Sequence, residues 1–187
     1  MPFGSLDMPV DNAPPAACRL RAPRSTDRHR LALLLAGVAP RYPGFGDWFD
    51  RRFDDVLLGR EYGVVALVGT DPVGLALQAD KGAGRRKLST LFVHPACRGR
   101  CIGRSLMRAT IVGWHRDGIE AARVTVPADD AATIAFFRAS GFAPTILLPD
   151  RYGPGRSEAV LTWTPESPVP DRGGAARPQE SFSSIPA

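Results

Sequence analysis

The sequence predicts an α/β or α+β domain, and three observations support this prediction. Short apolar runs of strand type alternate along the chain with longer patterns of helical period. Two of the apolar runs are joined by Gly69-Thr70-Asp71, a turn of the hairpin type. A third run, Leu88–Val93, turns sharply into a helical pattern that continues to about Asp117. At 187 residues the chain is one domain of ordinary size, with enough apolar content for a core.

The first part of the chain predicts a strand followed by two helices. Arg19-Leu20-Arg21 is a short first strand, and Ser25 or Asp27 caps the helix that follows. The apolar side of that helix consists of Leu31, Leu33, Leu34, Leu35 and Val38. Asp47 opens the second helix and Gly59 ends it. The apolar side of this second helix consists of Trp48, Phe49, Phe53, Val56, Leu57 and Leu58.

The remainder predicts six strands and two more helices. The early strands are Tyr62–Val68, Pro72–Gln78 and Leu88–Val93. A helix then runs from Gly103 to the stop at Gly118, with an inner side made of Leu106, Met107, Thr110, Ile111 and Trp114. After the strand Arg123–Val126, Asp129 or Asp130 caps a helix that ends at Gly141. The last two strands are Phe142–Leu148 and Glu158–Trp163.

The segment from Arg98 to Leu106 has the character of an anion site. It opens a helix directly after a strand, and the first turn of a helix carries unpaired N–H donors and a positive dipole end. Arg98, Arg100 and Arg104 lie on this turn, and guanidinium groups bind oxyanions bidentately. The segment has neither a Walker A ending nor a dinucleotide fingerprint. It therefore predicts a pyrophosphate or a phosphorylated cofactor as its ligand.

The same segment resembles the acetyl-CoA-binding motif of the GNAT acetyltransferase superfamily. The matching residues are Arg98, Gly99, Arg100, Ile102 and Gly103, with Val93-His94-Pro95 before them and Ser105-Leu106-Met107 after them. Cys101 departs from the motif, because it stands where the family usually has its first signature glycine. A second stretch, Ala135–Phe142, is similar to the family's later Ala-x-Phe-Tyr-x-x-x-Gly-Phe pattern. The resemblance covers residues 19–165.

This resemblance implies the GNAT fold, a central mixed and mostly antiparallel sheet flanked by helices, over residues 19–165. Residues 1–18 and 166–187 are expected to form a disordered N-terminal extension and a disordered C-terminal tail. The implied activity is transfer of an acetyl group from acetyl-CoA, without a metal, to a primary amine. The acceptor would be a small molecule or a peptide.

By the same resemblance the cofactor site has three parts. The backbone of Leu91, Phe92 and Val93 pairs with the pantetheine as an added strand. The pyrophosphate would contact Arg98, Gly99, Arg100, Cys101, Ile102, Gly103, Arg104 and Ser105. Asp130 stands where the family often has an Asn near the thioester, although an Asp at a helix start is more often only a cap. Phe137 stands where the family often has the Tyr that protonates the leaving thiolate.

The sequence leaves the catalytic acid and base open. Acetyl transfer needs a base for the amine and an acid for the thiolate, and Phe137 cannot donate a proton. Either Tyr152 donates it or the thiolate leaves without an enzymic acid. The family often has a Glu that acts as the general base on the strand before the motif, and this chain has Ser89 and Thr90 there. The candidate bases are Asp50, Glu61 and His94. The ordinary alternatives are that Asp50 is a surface carboxylate and that His94 is a structural residue of a turn.

Composition limits the kinds of binding partner and the cellular location that the sequence predicts. The net charge of +5 suits an anionic cofactor, but the charge is spread along the chain, so nucleic acid is the weaker expectation. The spacing of Cys18, Cys97 and Cys101 fits neither a disulfide framework nor a four-ligand zinc site. No stretch is apolar enough to span a bilayer, and residues 1–18 lack the pattern of a signal peptide. The expected location is the cytoplasm.

Two other functions remain open from the sequence. Cys101 and Phe137 both depart from the catalytic pattern, which favours an acyl-CoA-binding module with weak or no catalysis that acts as a sensor or interaction protein. The arginines favour, more weakly, an enzyme that modifies a protein or RNA. A homodimer is also open.

Overall fold

The computed structural model describes residues 18–37, 44–151 and 153–166. The two predicted tails lie outside these ranges except for their inner ends, Cys18 and Glu166. Val38 and the candidate acid Tyr152 also lie outside the described residues.

The described chain folds into a seven-stranded sheet and four α-helices. The strands are β1 (Arg19–Arg21), β2 (Tyr62–Val68), β3 (Asp71–Asp80), β4 (Arg85–Val93), β5 (Ala121–Pro127), β6 (Ala143–Leu148) and β7 (Glu158–Trp163). The helices are α1 (Arg28–Leu35), α2 (Phe45–Leu57), α3 (Ile102–Arg116) and α4 (Ala131–Arg138).

The strand order is β1-β2-β3-β4-β5-β7-β6, and β4 and β5 form the parallel pair among antiparallel neighbours. The prediction of a mixed, mostly antiparallel sheet flanked by helices is confirmed. Each predicted strand is present, because its alternation of apolar residues and its flanking turn residues are local features of the sequence.

Helices cover both faces of the sheet. Side chains of a strand alternate between the two faces, so neighbours in β2 belong to different cores. Val65 packs with α1 and α2 in one buried cluster, whereas Ala66 packs with α3 in the other. The α1–α2 side is filled by residues such as Leu31 and Phe53, and the α3–α4 side by residues such as Trp114.

The start of the first helix differs from the prediction. Ser25–Asp27 forms a 3₁₀ turn before α1, and neither Ser25 nor Asp27 caps α1 with its side chain. The Asp27 carboxylate turns back instead, accepting a hydrogen bond from the Arg24 N–H at 2.7 Å and two from the Arg21 guanidinium at 2.6 and 2.8 Å. A bidentate charged partner on β1 outcompetes the helix N–H groups for this carboxylate.

The second helix also begins earlier than predicted. It starts at Phe45, two residues before Asp47, because Gly44 adopts a left-handed φ of 71° that only glycine accommodates easily. At its other end Gly59 follows the helix with the same φ of 71°, as the stop signal predicts.

Candidate functional site

The centre of the sheet is split between β4 and β5. Their ladder pairs residues 85–87 with residues 121–123 and then ends. Beyond Lys87 the strand β4 pairs with β3 alone among the described strands, with Leu91, Phe92 and Val93 opposite Ala76, Leu75 and Gly74. The other edge of β4 therefore presents unpaired backbone groups, which an extended ligand can pair with as an added strand.

A β-bulge in β4 lies within this split. Leu77 of β3 pairs with Thr90, whereas the next residue, Gln78, pairs with Leu88, so Ser89 is the extra residue of β4. Bulges of this kind bend a strand and increase its twist, which directs β4 away from β5. Ser89 and Thr90 stand where the family often has a Glu that acts as the catalytic base. Both line the resulting opening.

A cavity of about 430 Å³ occupies the split and passes through the sheet. Phe45 and Trp48 of α2 line it on one face, and Thr133 and Phe137 of α4 line it on the other. A cavity with two faces can receive two reactants from opposite sides of the sheet, which is the arrangement that a transfer reaction between them needs.

The start of α3 forms a cradle of backbone N–H groups. Gly99 has a φ of 75° and Cys101 a φ of 60°, so left-handed residues alternate with ordinary ones along the loop. Such alternation turns successive N–H groups inward to form an anion-binding concavity. The N–H groups from Gly99 to Arg104 have no hydrogen-bond partner within the described residues, and the helix ladder begins with Ser105 donating to the Cys101 carbonyl at 2.9 Å.

The arginines around this cradle have no acidic neighbour bonded to them. The Arg98 Nε donates to the Val93 carbonyl at 3.2 Å, and its guanidinium lies 5.9 Å from the centre of the Phe92 ring. Arg100 and Arg104 are exposed and make no ion pair with any described residue. The first turn of α3 also contains no acidic residue. The donors and charges suit a pyrophosphate.

Cys101 adopts a conformation that is unfavourable for a side-chain-bearing residue. Its φ of 60° and ψ of 7° are left-handed. The left-handed region costs a non-glycine residue about 1–2 kcal/mol. Its thiol is exposed. The backbone therefore adopts a conformation that glycine favours although the residue is cysteine.

Gly103, two positions after Cys101, lies where the first turn of α3 packs on its neighbours. A Cβ added to it would lie 3.5 Å from the Phe136 ring and 3.7 Å from Val93. These are ordinary packing distances, so the first turn of α3 lies directly against α4 and the end of β4. Ile102, by contrast, is buried in the core, where it anchors the turn.

Asp130 and Phe137 have well-defined structural roles. The Asp130 carboxylate accepts hydrogen bonds from the N–H of Thr133 at 2.9 Å and from its hydroxyl at 2.7 Å, which caps α4. Phe137 is buried, packs edge-on against Phe136 and Phe142, and contributes to the cavity wall. It offers no proton to a ligand there.

Two of the candidate bases, Asp50 and Glu61, are engaged elsewhere. Asp50 is exposed on α2 and pairs with Arg28 at 3.0 Å. Glu61 forms an ion pair with Arg52, while its Oε2 is buried without a hydrogen-bond partner. Burial raises the pKa of Glu61, and Arg52 only partly opposes that shift. Neither carboxylate lines the cavity.

His94 lies on a different surface. Its Nδ1 accepts a hydrogen bond from the Ala96 N–H at 3.2 Å, so the imidazole caps the short turn before the arginine loop. It also borders a shallow surface hollow of about 410 Å³ beside the exposed Arg30–Asp71 ion pair. That open hollow has no contact with the split between the strands.

Glu158 is an acidic residue of the cavity wall that the sequence does not single out. It begins β7, lies opposite Pro127 of β5 and Leu148 of β6, and is 6% exposed. Burial raises the pKa of this carboxyl, and the Arg156 charge opposes the rise. No side chain among the described residues donates a hydrogen bond to it. The available signal was a charged residue at the head of an otherwise apolar strand.

The described residues contain neither a metal-ligand cluster nor a spanning helix. No three His, Cys, Asp or Glu side chains of those residues come together as metal ligands would. None of the described helices is long and apolar enough to cross a membrane.

Comparison with known proteins links this geometry to one family. Residues 48–152 match the model of a family described as an acetyltransferase (GNAT) domain. No curated protein sequence matches the chain.

Several solved structures share the fold. A GNAT-family protein from Desulfovibrio desulfuricans superimposes with a TM-score of 0.71 at 18% identity, over 79% of this chain and 99% of that one. The ribosomal-protein-S18-alanine N-acetyltransferase of Escherichia coli gives 0.69 at 15% identity, over 86% and 99%. A GNAT family acetyltransferase from Elizabethkingia anophelis with acetyl-CoA bound gives 0.65 at 11% identity, over 79% and 97%. At these identities the likeness concerns the fold.

Proposed function

The chain belongs to the GNAT acetyltransferase family, and on that premise we propose that it transfers the acetyl group of acetyl-CoA to a primary amine. The observation that carries the proposal is the combination of the N–H cradle at α3 with the split between β4 and β5. The two features are joined by the residues that run from Val93 to Gly99, so one extended ligand can contact both.

The residues of the chain fit acetyl-CoA in three places. The six unpaired N–H groups from Gly99 to Arg104, with Arg98, Arg100 and Arg104 around them, suit the pyrophosphate. The free edge of β4 from Leu91 to Val93 suits the pantetheine amides. The cavity beyond that edge gives the acetyl group a place between the strands.

The chemistry begins with the thioester that bound acetyl-CoA would supply to this cavity. The acceptor amine attacks the thioester carbonyl carbon, a C–N bond forms and the C–S bond breaks. The amine loses one proton and the departing thiolate gains one, so the products are an N-acetylated amine and CoA. The chain must align the amine, accept its proton and exclude competing water.

We assign the proton acceptor to Glu158. It is the carboxylate on the cavity wall, and burial raises its pKa toward the range in which a general base works at neutral pH. Asp50 and Glu61 do not line the cavity and are each paired with an arginine, so they are less suited to this role. Phe137 offers no acid, so the thiolate takes its proton from solvent or from Tyr152.

A CoA-binding module without catalysis is the second candidate function. Cys101 in a left-handed conformation and Phe137 in the position of the usual acid both favour it. The cytoplasm stays the proposed location, and the role of the two tails and of any homodimer stays a prediction.

Two parallel measurements test the proposal. Calorimetry measures CoA binding, and release of free thiol from acetyl-CoA is followed as amines are added. CoA binding with amine-dependent thiol release is the expected result. CoA binding without release by any amine would favour the binding module, and absence of CoA binding would overturn both functions.

A further inference from the structure

The cavity wall on the α2 side carries three basic side chains. Arg52 comes from α2, Lys81 from the loop between β3 and β4, and Lys87 from β4 itself. Lys81 and Lys87 are the two lysines of the chain, whose other basic residues are arginines. A helix, a loop and a strand therefore direct positive charge to one side of one cavity.

These charges are only partly compensated. Arg52 pairs with Glu61, but neither lysine forms an ion pair with any carboxylate that the structure describes. Lys81 acts on Glu61 through its charge without bonding to it. The pKa of Lys87 is lowered, first by burial and then by the cations Lys81, Arg52, Arg151 and Arg123. Cations held this close repel one another, and a bound anion would relieve the repulsion.

The remainder of that side is apolar and aromatic. Phe45 and Trp48 are half-buried on α2, with ring centres 5.5 Å apart, and both line the cavity. Such a surface binds the apolar part of a ligand whose charged end meets the lysines.

Glu158 gives the same cavity an opposite charge at another place. Glu158 lies opposite Pro127 of β5, four residues or about 13 Å along that strand from the position opposite Lys87. The acidic and basic ends are therefore apart. A ligand with an amine at one end and an anion at the other matches this arrangement.

We propose that the acceptor is a small amine that itself carries an anionic group, held by Lys81 and Lys87 while its apolar part packs on Phe45 and Trp48. This inference rests on the proposed acetyl transfer. The amine and the anion of this acceptor therefore lie at opposite ends of the molecule, with the apolar part between them.

The first experiment compares matched amines as acceptors. 4-(2-Aminoethyl)benzoate and phenethylamine differ in a carboxylate at the end of the ring opposite the amine, and O-phosphoethanolamine and ethanolamine differ in a phosphate. Spermidine represents cationic acceptors. We expect the anionic member of at least one pair to have a kcat/KM about tenfold or more above its neutral partner. The two pairs show which anion is used. Equal values within both pairs, or a preference for spermidine, would overturn the inference and leave acetyl transfer intact.

The second experiment removes the charges from the cavity. Lys81→Met and Lys87→Met should each lower kcat/KM for the anionic acceptor about tenfold more than for its neutral partner, without a matching loss of CoA affinity. Arg85→Met is the matched control, because Arg85 is an exposed cation of β4 that does not line the cavity. An equal loss in the control, or an equal loss for both acceptors, would contradict the assignment.

Binding provides a readout that does not depend on turnover. With CoA present, 4-(2-acetamidoethyl)benzoate should bind to the protein more tightly than N-acetylphenethylamine, and Lys87→Met should remove the difference. Binding of neither compound, or equal binding of both, would overturn the inference even if no amine is acetylated. Failure of CoA itself to bind would instead refute the proposed function.

Discussion

Lys87 of β4 and Arg123 of β5 form the last pair of the parallel ladder before the two strands separate. Like charges opposite one another destabilise a sheet. Here they stand at the closed end of the cavity, and the Arg123 charge contributes to the lowered pKa of Lys87. This unfavourable pair lies at the proposed anion-binding site. Functional sites often keep residues that lower the stability of the fold.

Replacing Cys101 by glycine should relieve backbone strain. The left-handed residue is strained by about 1–2 kcal/mol, and glycine offsets part of that gain through its larger unfolded-state entropy. We expect an unchanged or slightly higher melting temperature and a tighter CoA complex in calorimetry. Cys101→Ala is the control, because it removes the thiol and keeps the strain. Equal CoA affinity in the parent and in the glycine variant would show that cysteine is accommodated without loss.

Replacing Glu158 by glutamine should reduce acetyl transfer while sparing CoA binding. Loss of a general base typically lowers the rate about a hundredfold or more. Because burial raises the Glu158 pKa, the parental rate should rise with pH through a value above the ordinary Glu pKa of about 4.3. The rise in rate with pH should be missing from the variant. A pH profile that keeps this rise would exclude Glu158 as the base.

The same substitution should not destabilise the fold. A carboxyl whose folded pKa is raised opposes stability as pH rises above its unfolded pKa, because ionisation is then less favourable in the folded state. Glu158→Gln should therefore have an equal or higher melting temperature at neutral pH. A large fall in that temperature would assign Glu158 a structural role.

Replacing Asp27 by asparagine should weaken the contact between β1 and the segment that leads into α1. The carboxylate accepts three hydrogen bonds from Arg21 and Arg24, so its loss should reduce the free energy of unfolding by about 1.5–3 kcal/mol. These bonds hold the Asp27 pKa below its usual value. Its contribution is therefore complete above the unfolded pKa of about 3.9 and disappears as pH falls through the folded pKa.

Denaturant titrations at pH 7 and at about pH 3 test this. The difference between the parent and Asp27→Asn should shrink at the lower pH. A constant difference would mean that the charge is not responsible. Asp71→Asn is a matched control, because the Asp71–Arg30 pair at 3.0 Å is exposed and should contribute little.

Replacing Phe137 by tyrosine tests whether a missing acid limits the rate. Phe137 is 3% exposed and packed by two aromatic rings, so a buried hydroxyl without a partner should cost about 1–3 kcal/mol of stability. Thiol release with an accepted amine and a melting curve are measured together. A faster release would favour a degraded catalytic site, whereas no change in an already active parent would exclude the binding module.

The sequence predicts local features of this protein well. The alternation of strands and helices follows from apolar periodicity, and the arginines of the α3 loop are neighbours in sequence. Non-local features were not predictable. Asp27 turns to Arg21 because a strand lies beside it, and Glu158 faces a cavity that exists only because β4 and β5 separate. The bulge at Ser89 is likewise defined by pairing with β3.

Calorimetric titration of CoA tests the central claim most directly. The parent should bind CoA, and Arg98→Ala and Arg100→Ala should each weaken binding by about one to two decades, the loss of a charge-assisted contact. Arg116→Ala is the matched control at the opposite end of α3, where an exposed arginine pairs only with its neighbour Asp117 at 2.8 Å. Binding that is selectively lost in the two loop variants is the predicted result. No binding by the parent, or equal affinity in all four proteins, would contradict the assignment of this site.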